Sequence, residues 1–283
     1  MSDYIRQNSV SIDYQLGDSW IILSEIEQSI KQKIESNGTP LRDWNITINR
    51  GILTGLNEAF IISKEKRDEL IASDPKSAEI IRPILRGRDI ERYSYKFSEL
   101  YVITAYKGIH KIIEANYPAV FAHLSEFESK LKQRGQVDGK PDKPGSNQHH
   151  WTELDNNISL EKLDDIYKQK ILFSEMVTSP RFYLDKQGFM INDTVTFISG
   201  EDLDVLIQYL NSDIIFNSYR LFYAGGGLGN EGTRIKKTFL NTLPLPRLTE
   251  LEKDTLINST DVEECISRIL GLTEEESAYL TNQ

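Results

Sequence analysis

The run from Ile80 to Tyr93, IIRPILRGRDIERY, places Arg82, Arg86, Arg88 and Arg92 within eleven residues. A guanidinium is permanently charged and presents a planar fork of N–H donors. Such a cluster suits phosphate oxygens, or the O6 and N7 acceptors of guanine in a DNA groove. Arg86 and Arg88, one residue apart, are the strongest pair. Pro83 opposes a helix through the run, and Gly87 permits backbone conformations closed to other residues. Together they predict an ordered turn that sends both arginines the same way. The competing reading is an ion-pair lattice with Asp89 and Glu91, because charge runs are commonly solvated faces.

The rest of the molecule has little use for that density of positive charge. Its 283 residues carry a formal charge of -10, unevenly spread. Leu248 to Gln283 holds nine acidic against two basic residues, whereas Arg82 to Lys111 holds seven basic against three acidic. A basic patch on an acidic molecule steers an anion less than a basic domain does, so modest DNA affinity with strong salt dependence is expected. A hydrophobic content of 39% on this length suffices for a substantial core and excludes a disordered chain. The single cysteine, Cys265, excludes an intramolecular disulfide and fits a reducing compartment. No apolar run approaches the roughly 18 residues of a membrane helix, and MSDYIRQNSVSIDYQ lacks the apolar stretch of a signal peptide. A cytoplasmic protein is expected.

Other residues offer chemistry in type but not in arrangement. Gly227-Leu228-Gly229-Asn230-Glu231-Gly232 matches G-x-G-x-x-G, yet a helix-like segment precedes it where a dinucleotide fold needs a strand. Followed by Arg234, Lys236 and Lys237, this glycine loop better suits backbone approach to a phosphate strand. His149-His150 lacks carboxylates or cysteines at ligand spacing and reads as a pair of solvated loop histidines, with no metal. Pro141-Asp142 resembles the start of a PD…ExK nuclease site, but the triplet Glu128-Ser129-Lys130 precedes it. Cys265 lies among acidic residues, which disfavour a thiolate. No Asn-Pro-Pro-aromatic tetrapeptide, the signature of an amino-methyltransferase, is present. No complete catalytic set is therefore expected.

The elements that must position these residues alternate without βαβ regularity, which predicts an α+β fold. Trp20 to Ser36 sets Ile22, Ile26, Ile30 and Ile34 at four-residue spacing, an amphipathic helix stopped by Asn37-Gly38 and Pro40. Strands are predicted at Trp44 to Ile48, Ala59 to Ile62, Leu100 to Thr104, Lys170 to Phe173 and Arg181 to Leu184, with Phe189 to Phe197 after a turn. Gly51 to Asn57 is a glycine-punctuated loop. Helices are predicted at Lys64 to Ser73, from Ile109 to Arg134 with a break near Tyr117-Pro118, and at Asp202 to Asn211, Ser212 to Tyr223, Thr249 to Ile257 and Asp261 to Leu270. Gly135 to His150 and Gly225 to Gly232 are the loosest segments.

In their order, DWNITINRGILTGLNEAFII, IIRPILRGRDIERY, WTEL, QYLNSDIIF and GNEGTRIKKTFLNTLPLP resemble the TaqI-like C-terminal specificity domain. That module belongs to adenine-N6 DNA methyltransferases and single-chain type IIG restriction-modification enzymes, and is related to target recognition domains of type I specificity subunits. The resemblance implies mixed sheets with flanking and C-terminal helices. It divides the chain into an N-terminal extension (1–19), a target recognition domain (20–246) and an acidic helical C-terminal segment (247–283). It also implies that this chain reads a short duplex sequence and carries no catalytic residues, cofactor site or metal of its own. S-adenosylmethionine and Mg2+ then belong to upstream methyltransferase and endonuclease domains of a parent enzyme, to which a target adenine is presented, and the chain reads as a fragment. The expected DNA contacts are Arg86, Arg88 and Arg92, then Thr54 and Asn57, then Tyr106, Lys107, Arg181, Arg234, Lys236 and Lys237. Two other classes stay open: a protein-interaction or scaffold module, and a nuclease whose acids, for example Glu153, Glu175 and Asp185, meet only in space.

Overall fold

The isoleucine ladder near the N-terminus forms the helix Glu25–Asn37 in a computed structural model that describes residues 23–135, 137, 149–155, 158–224 and 232–282. Ser24 and Glu27 close a capping box at its start, which satisfies backbone donors that the helix leaves without partners. Ile30 and Ile34 are fully buried. Ile22 and the extension before it lie outside the described residues, as do most of Gly135 to His150 and all but the last residue of Gly225 to Gly232.

The strands, in chain order, are β1 Thr39–Pro40, β2 Ile46–Arg50, β3 Ile61–Ser63, β4 Ile81–Leu85, β5 Ile90–Glu91, β6 Ser94–Tyr95 and β7 Leu100–Ile103. There follow β8 Lys170–Ser174, β9 Met176–Val177, β10 Phe182–Asp185, β11 Met190–Ile191, β12 Val195–Gly200, β13 Thr233–Arg234 and β14 Pro244–Leu245. The fold is α+β, and the chain divides into two units.

One unit comprises residues up to 44, 212–226 and 238–283. β1 pairs with β14 antiparallel, and the C-terminal helices Glu250–Ile257, Val262–Leu270 and Glu274–Thr281 start on the side-chain caps Thr249, Asp261 and Thr273. Two acids of this segment have structural duties. Glu263 accepts hydrogen bonds from Ser212 Oγ and the Asp213 and Ile214 N–H groups, holding the start of the helix Asp213–Ser218. Glu276 is buried. Burial opposes its charge, but hydrogen bonds from Lys33, Ser29 and the Thr273 N–H prevail and bring its pKa down to about 2. Cys265 is buried on the middle helix.

The other unit, residues 45–211 and 227–237, contains all eleven expected contact residues. Its first sheet is antiparallel in the order β10-β8-β12-β2. Its second runs β11-β4-β7-β3, with β11 parallel to β4 and the other pairs antiparallel. Phe60, Ile84, Leu85, Val102, Leu172, Met190 and Val195 belong to the apolar core of this unit. Lys170 and Asp185, opposite each other across β8 and β10, form an ion pair with both side chains at 0% exposure. Asp185 also accepts from the Gln187, Gly188 and Phe189 N–H groups. Burial pulls the pKa of the Lys170 ammonium down and the Asp185 charge opposes that shift.

One local expectation needs correction. Ala59 to Ile62 is not one strand: Leu56 O accepts from the Ala59 and Phe60 N–H groups, making a short helix, Asn57–Phe60, before β3 begins. Ile81 to Leu85, for which the sequence predicts no element, is a strand held between β7 and β11. The ribbon of β9 with β13 pairs segments far apart in the chain and carries no periodic signal in either.

Candidate nucleic-acid interface

The site is built where β4 and β8 end. β4 leads into a turn, Gly87–Asp89, whose Gly87 N–H donates to Thr194 Oγ1 at 2.9 Å. A Cβ on Gly87 would stand 2.9 Å from Thr194 O and 3.0 Å from Ser174 Oγ, so only glycine lets this turn lie against the end of β8. β8 and β10 are in register from Lys170 opposite Asp185 to Phe173 opposite Phe182, and those two phenyl rings lie 5.1 Å apart. Ser174 and Arg181 follow immediately beyond that pair. β9 then continues the chain, with Val177 buried and Met176 outward, and pairs antiparallel with β13 so that Met176 faces Arg234 across the ribbon.

Gly87, Arg88, Ser174, Met176, Val177, Thr178, Arg181 and Gly232 line one open cavity of about 330 Å³. Arg88 and Arg181 are exposed, and neither is tied into an ion pair within 4 Å among the described residues. Two guanidiniums, two hydroxyl side chains and one thioether therefore share a concave surface that can receive an anion or the edge of a base pair.

Arg86 behaves differently from Arg88, contrary to the expectation that both point one way. Its Nε donates to Asp89 Oδ2 and its Nη2 to Asp89 Oδ1, both at 3.0 Å, and Nη2 also donates to Ser98 Oγ. The three-residue turn brings Asp89 back under Arg86, so the lattice reading holds for this residue. Burial opposes the charge of Asp89, whose side chain is 4% exposed, but the Arg86 side chain and N–H and the Ser98 hydroxyl hold its pKa below the ordinary range. Arg86→Ala is expected to lower stability by about 3 kcal/mol, because a buried carboxylate loses its partner. Urea unfolding monitored by circular dichroism checks this, and a loss below about 0.5 kcal/mol contradicts it.

The other expected contacts divide similarly. Thr54 is buried, donates to Asn57 Oδ1 at 2.6 Å, and its carbonyl accepts from Arg134 Nη1 at 2.8 Å. Arg134, itself buried, also donates to the Trp151, Glu153 and Leu131 carbonyls, so it fastens the 51–57 loop to residues 151–153. Burial lowers the pKa of this guanidinium, opposed by Asp155 and Glu153. Thr54 is thus held by the scaffold, whereas Asn57 is exposed. Tyr106 is half-buried against the core and Lys107 is exposed. Arg92 is exposed on the turn between β5 and β6, and Lys236 is exposed beyond β13. Arg234 pairs with Glu175 at 3.2 Å, and Lys237 Nζ donates to Ile48 O at 2.6 Å. Of the eleven, the structure brings Arg88 and Arg181 to one cavity, with Arg234 on the adjoining ribbon.

The histidine reading also needs correction. His149 is buried and His150 half-buried, its ring stacked on His110 at 4.7 Å. Glu153 accepts from the Gly108 and His150 N–H groups and lies against His110 Nδ1. The three carboxylates of the nuclease alternative keep separate company: Glu153 with these groups, Asp185 with Lys170, Glu175 with Arg234. Among the described residues, no three His, Cys, Asp or Glu side chains are grouped to hold a metal ion. Ser174, Met176 and Thr178 carry no signal in the sequence, since SEMVTSP shows no periodicity and its one charged residue, Glu175, is acidic.

Among the described residues no helix is long and apolar enough to cross a membrane. No curated protein matches the chain. Among solved structures, it is similar to the type IIG restriction endonuclease BpuSI, with 14% identity and a TM-score of 0.56, over 92% of this chain and 33% of that one. It is also similar to the type IIL restriction-modification enzyme MmeI in complex with DNA, with 10% identity and a TM-score of 0.53, over 86% of this chain and 32% of that one. The chain therefore spans about a third of the length of these structures, and the likeness is one of fold. Residues 82–245, more than half of the chain, match the TaqI-like C-terminal specificity domain, and the chain belongs to that family.

Proposed function

We propose that this chain recognises a short double-stranded DNA sequence as the specificity domain of a restriction-modification enzyme. The observation that carries the reading is the cavity in which Arg88 and Arg181, exposed on a chain of net charge -10, converge beside a two-stranded ribbon. A major groove admits such a ribbon, and the arginine fork fits guanine O6 and N7 or phosphate oxygens. Arg92, Arg234 and Lys236, exposed on neighbouring turns and the ribbon, serve as phosphate contacts that set register, while base contacts choose the site. The work is positioning: the bound duplex presents a target adenine to methyltransferase and nuclease domains of a parent enzyme, where flipping and chemistry occur. S-adenosylmethionine and Mg2+ belong to those domains, and this chain supplies no catalytic residue.

Family membership and the fold shared with BpuSI and MmeI support the reading. Fluorescence anisotropy of the chain with labelled duplexes of mixed sequence tests it. Binding at low salt that weakens steeply between about 50 and 200 mM salt is the expected result. Absence of binding at the lowest salt overturns it and favours a protein-interaction module.

A further inference from the structure

The Met176 side chain is outside the apolar core. The residue is 54% exposed, while the neighbouring Val177 is buried, so β9 directs the methionine outward by strand alternation. A single exposed apolar residue is ordinary on a protein surface. This one lines the same cavity as Arg88 and Arg181, with Ser174 and Thr178, and faces Arg234 across the ribbon. It is the exposed apolar side chain among those lining groups, flanked by charges suited to nucleic acid.

We propose that Met176 is a specificity-determining residue that reads the 5-methyl group of a thymine in the major groove. The inference rests on the DNA-recognition reading above and adds to it the class of base feature recognised. Major-groove base edges present hydrogen-bond donors and acceptors, and thymine alone among the four bases adds a methyl group. A thioether can answer only that last feature well, since its sulfur is a weak acceptor and it has no donor. Its unbranched, flexible chain adapts to a methyl surface, while the longer arginines on either side reach guanine edges or phosphates. Burying one methyl between the two molecules is worth about a fourfold change in affinity.

The test begins by selecting bound sequences from a random duplex pool with the whole chain. Each thymine of the selected site is then replaced singly by deoxyuridine, which removes the methyl and nothing else. The wild-type chain is expected to lose about fourfold in affinity at one of these positions. Met176→Ala is expected to bind the all-thymine duplex about fourfold more weakly and to ignore that replacement, whereas Met176→Leu keeps the discrimination. Wild-type indifference to every deoxyuridine, a selected site without thymine, or unchanged discrimination by Met176→Ala overturns the proposal. So does equal weakening of Met176→Ala on thymine and deoxyuridine duplexes while it still discriminates, the behaviour of an apolar wedge between base steps. Selection that yields no preferred sequence is a different failure, because it removes the DNA-recognition reading itself. Thermal unfolding of each variant should match wild type, since the side chain is outside the core.

Discussion

Replacing Arg88 and Arg181 together by alanine is expected to weaken duplex binding by a hundredfold or more while leaving thermal stability within about 0.5 kcal/mol of wild type. Each arginine contact of this kind is worth about 1–3 kcal/mol, and about 1.4 kcal/mol is a factor of ten. Both side chains are exposed and line one cavity, so their loss removes charge from the proposed binding surface without opening the core. The salt dependence discriminates between their partners. Two lost phosphate contacts reduce the slope of log affinity against log salt by about 2, whereas two lost base contacts leave the slope close to its original value and relax sequence preference. Anisotropy titrations at several salt concentrations read both quantities. A double variant that binds within threefold of wild type at low salt would show that the duplex does not use this cavity.

The second large effect is one of stability, and it reaches the same site through β8 and β10. Asp185→Ala is expected to destabilise by about 3–5 kcal/mol, because Lys170 is then left buried without its counter-ion. The Gln187, Gly188 and Phe189 N–H groups lose their acceptor as well. Against a typical domain stability of about 5–15 kcal/mol this is severe. Lys170→Met should cost less, since Asp185 keeps its three backbone donors. Urea unfolding of the two variants compares them directly, and a smaller loss for Asp185→Ala than for Lys170→Met contradicts the assignment. The pair also bears on the geometry of the proposed site. A one-residue slip of β10 against β8 would turn every side chain to the opposite face and set the two buried charges apart, and the same register places Arg181 beside Ser174 at the cavity.

Helices encoded by nearby residues were legible in the chain. Lys64–Ser73 has the bounds predicted for it, with Ser63 as its cap, and Ile30 and Ile34 face the core as their spacing requires. The break at Tyr117-Pro118 falls where a new helix, Pro118–Ser125, begins. Family membership was equally legible, because it lies in the order of several long segments rather than in any single motif. Less legible was the 149–155 segment, where loop composition suggested solvated histidines and packing buried His149 instead.

Residue order alone determined that four arginines gather within eleven positions of an acidic chain, that the fold mixes strands and helices, and which family it joins. Tertiary structure decided which cations remain available. Arg86 and Arg88 are indistinguishable by type and spacing, yet a buried Asp89 takes the first while the second lines the cavity. It also decided that Arg181 and Met176 join Arg88 there, since that depends on the register of β8 with β10 and on the pairing of β9 with β13. The physical reason is range: helix caps and apolar periods act over a few residues, whereas ion-pair choice depends on burial, and strand pairing joins segments that only folding brings together.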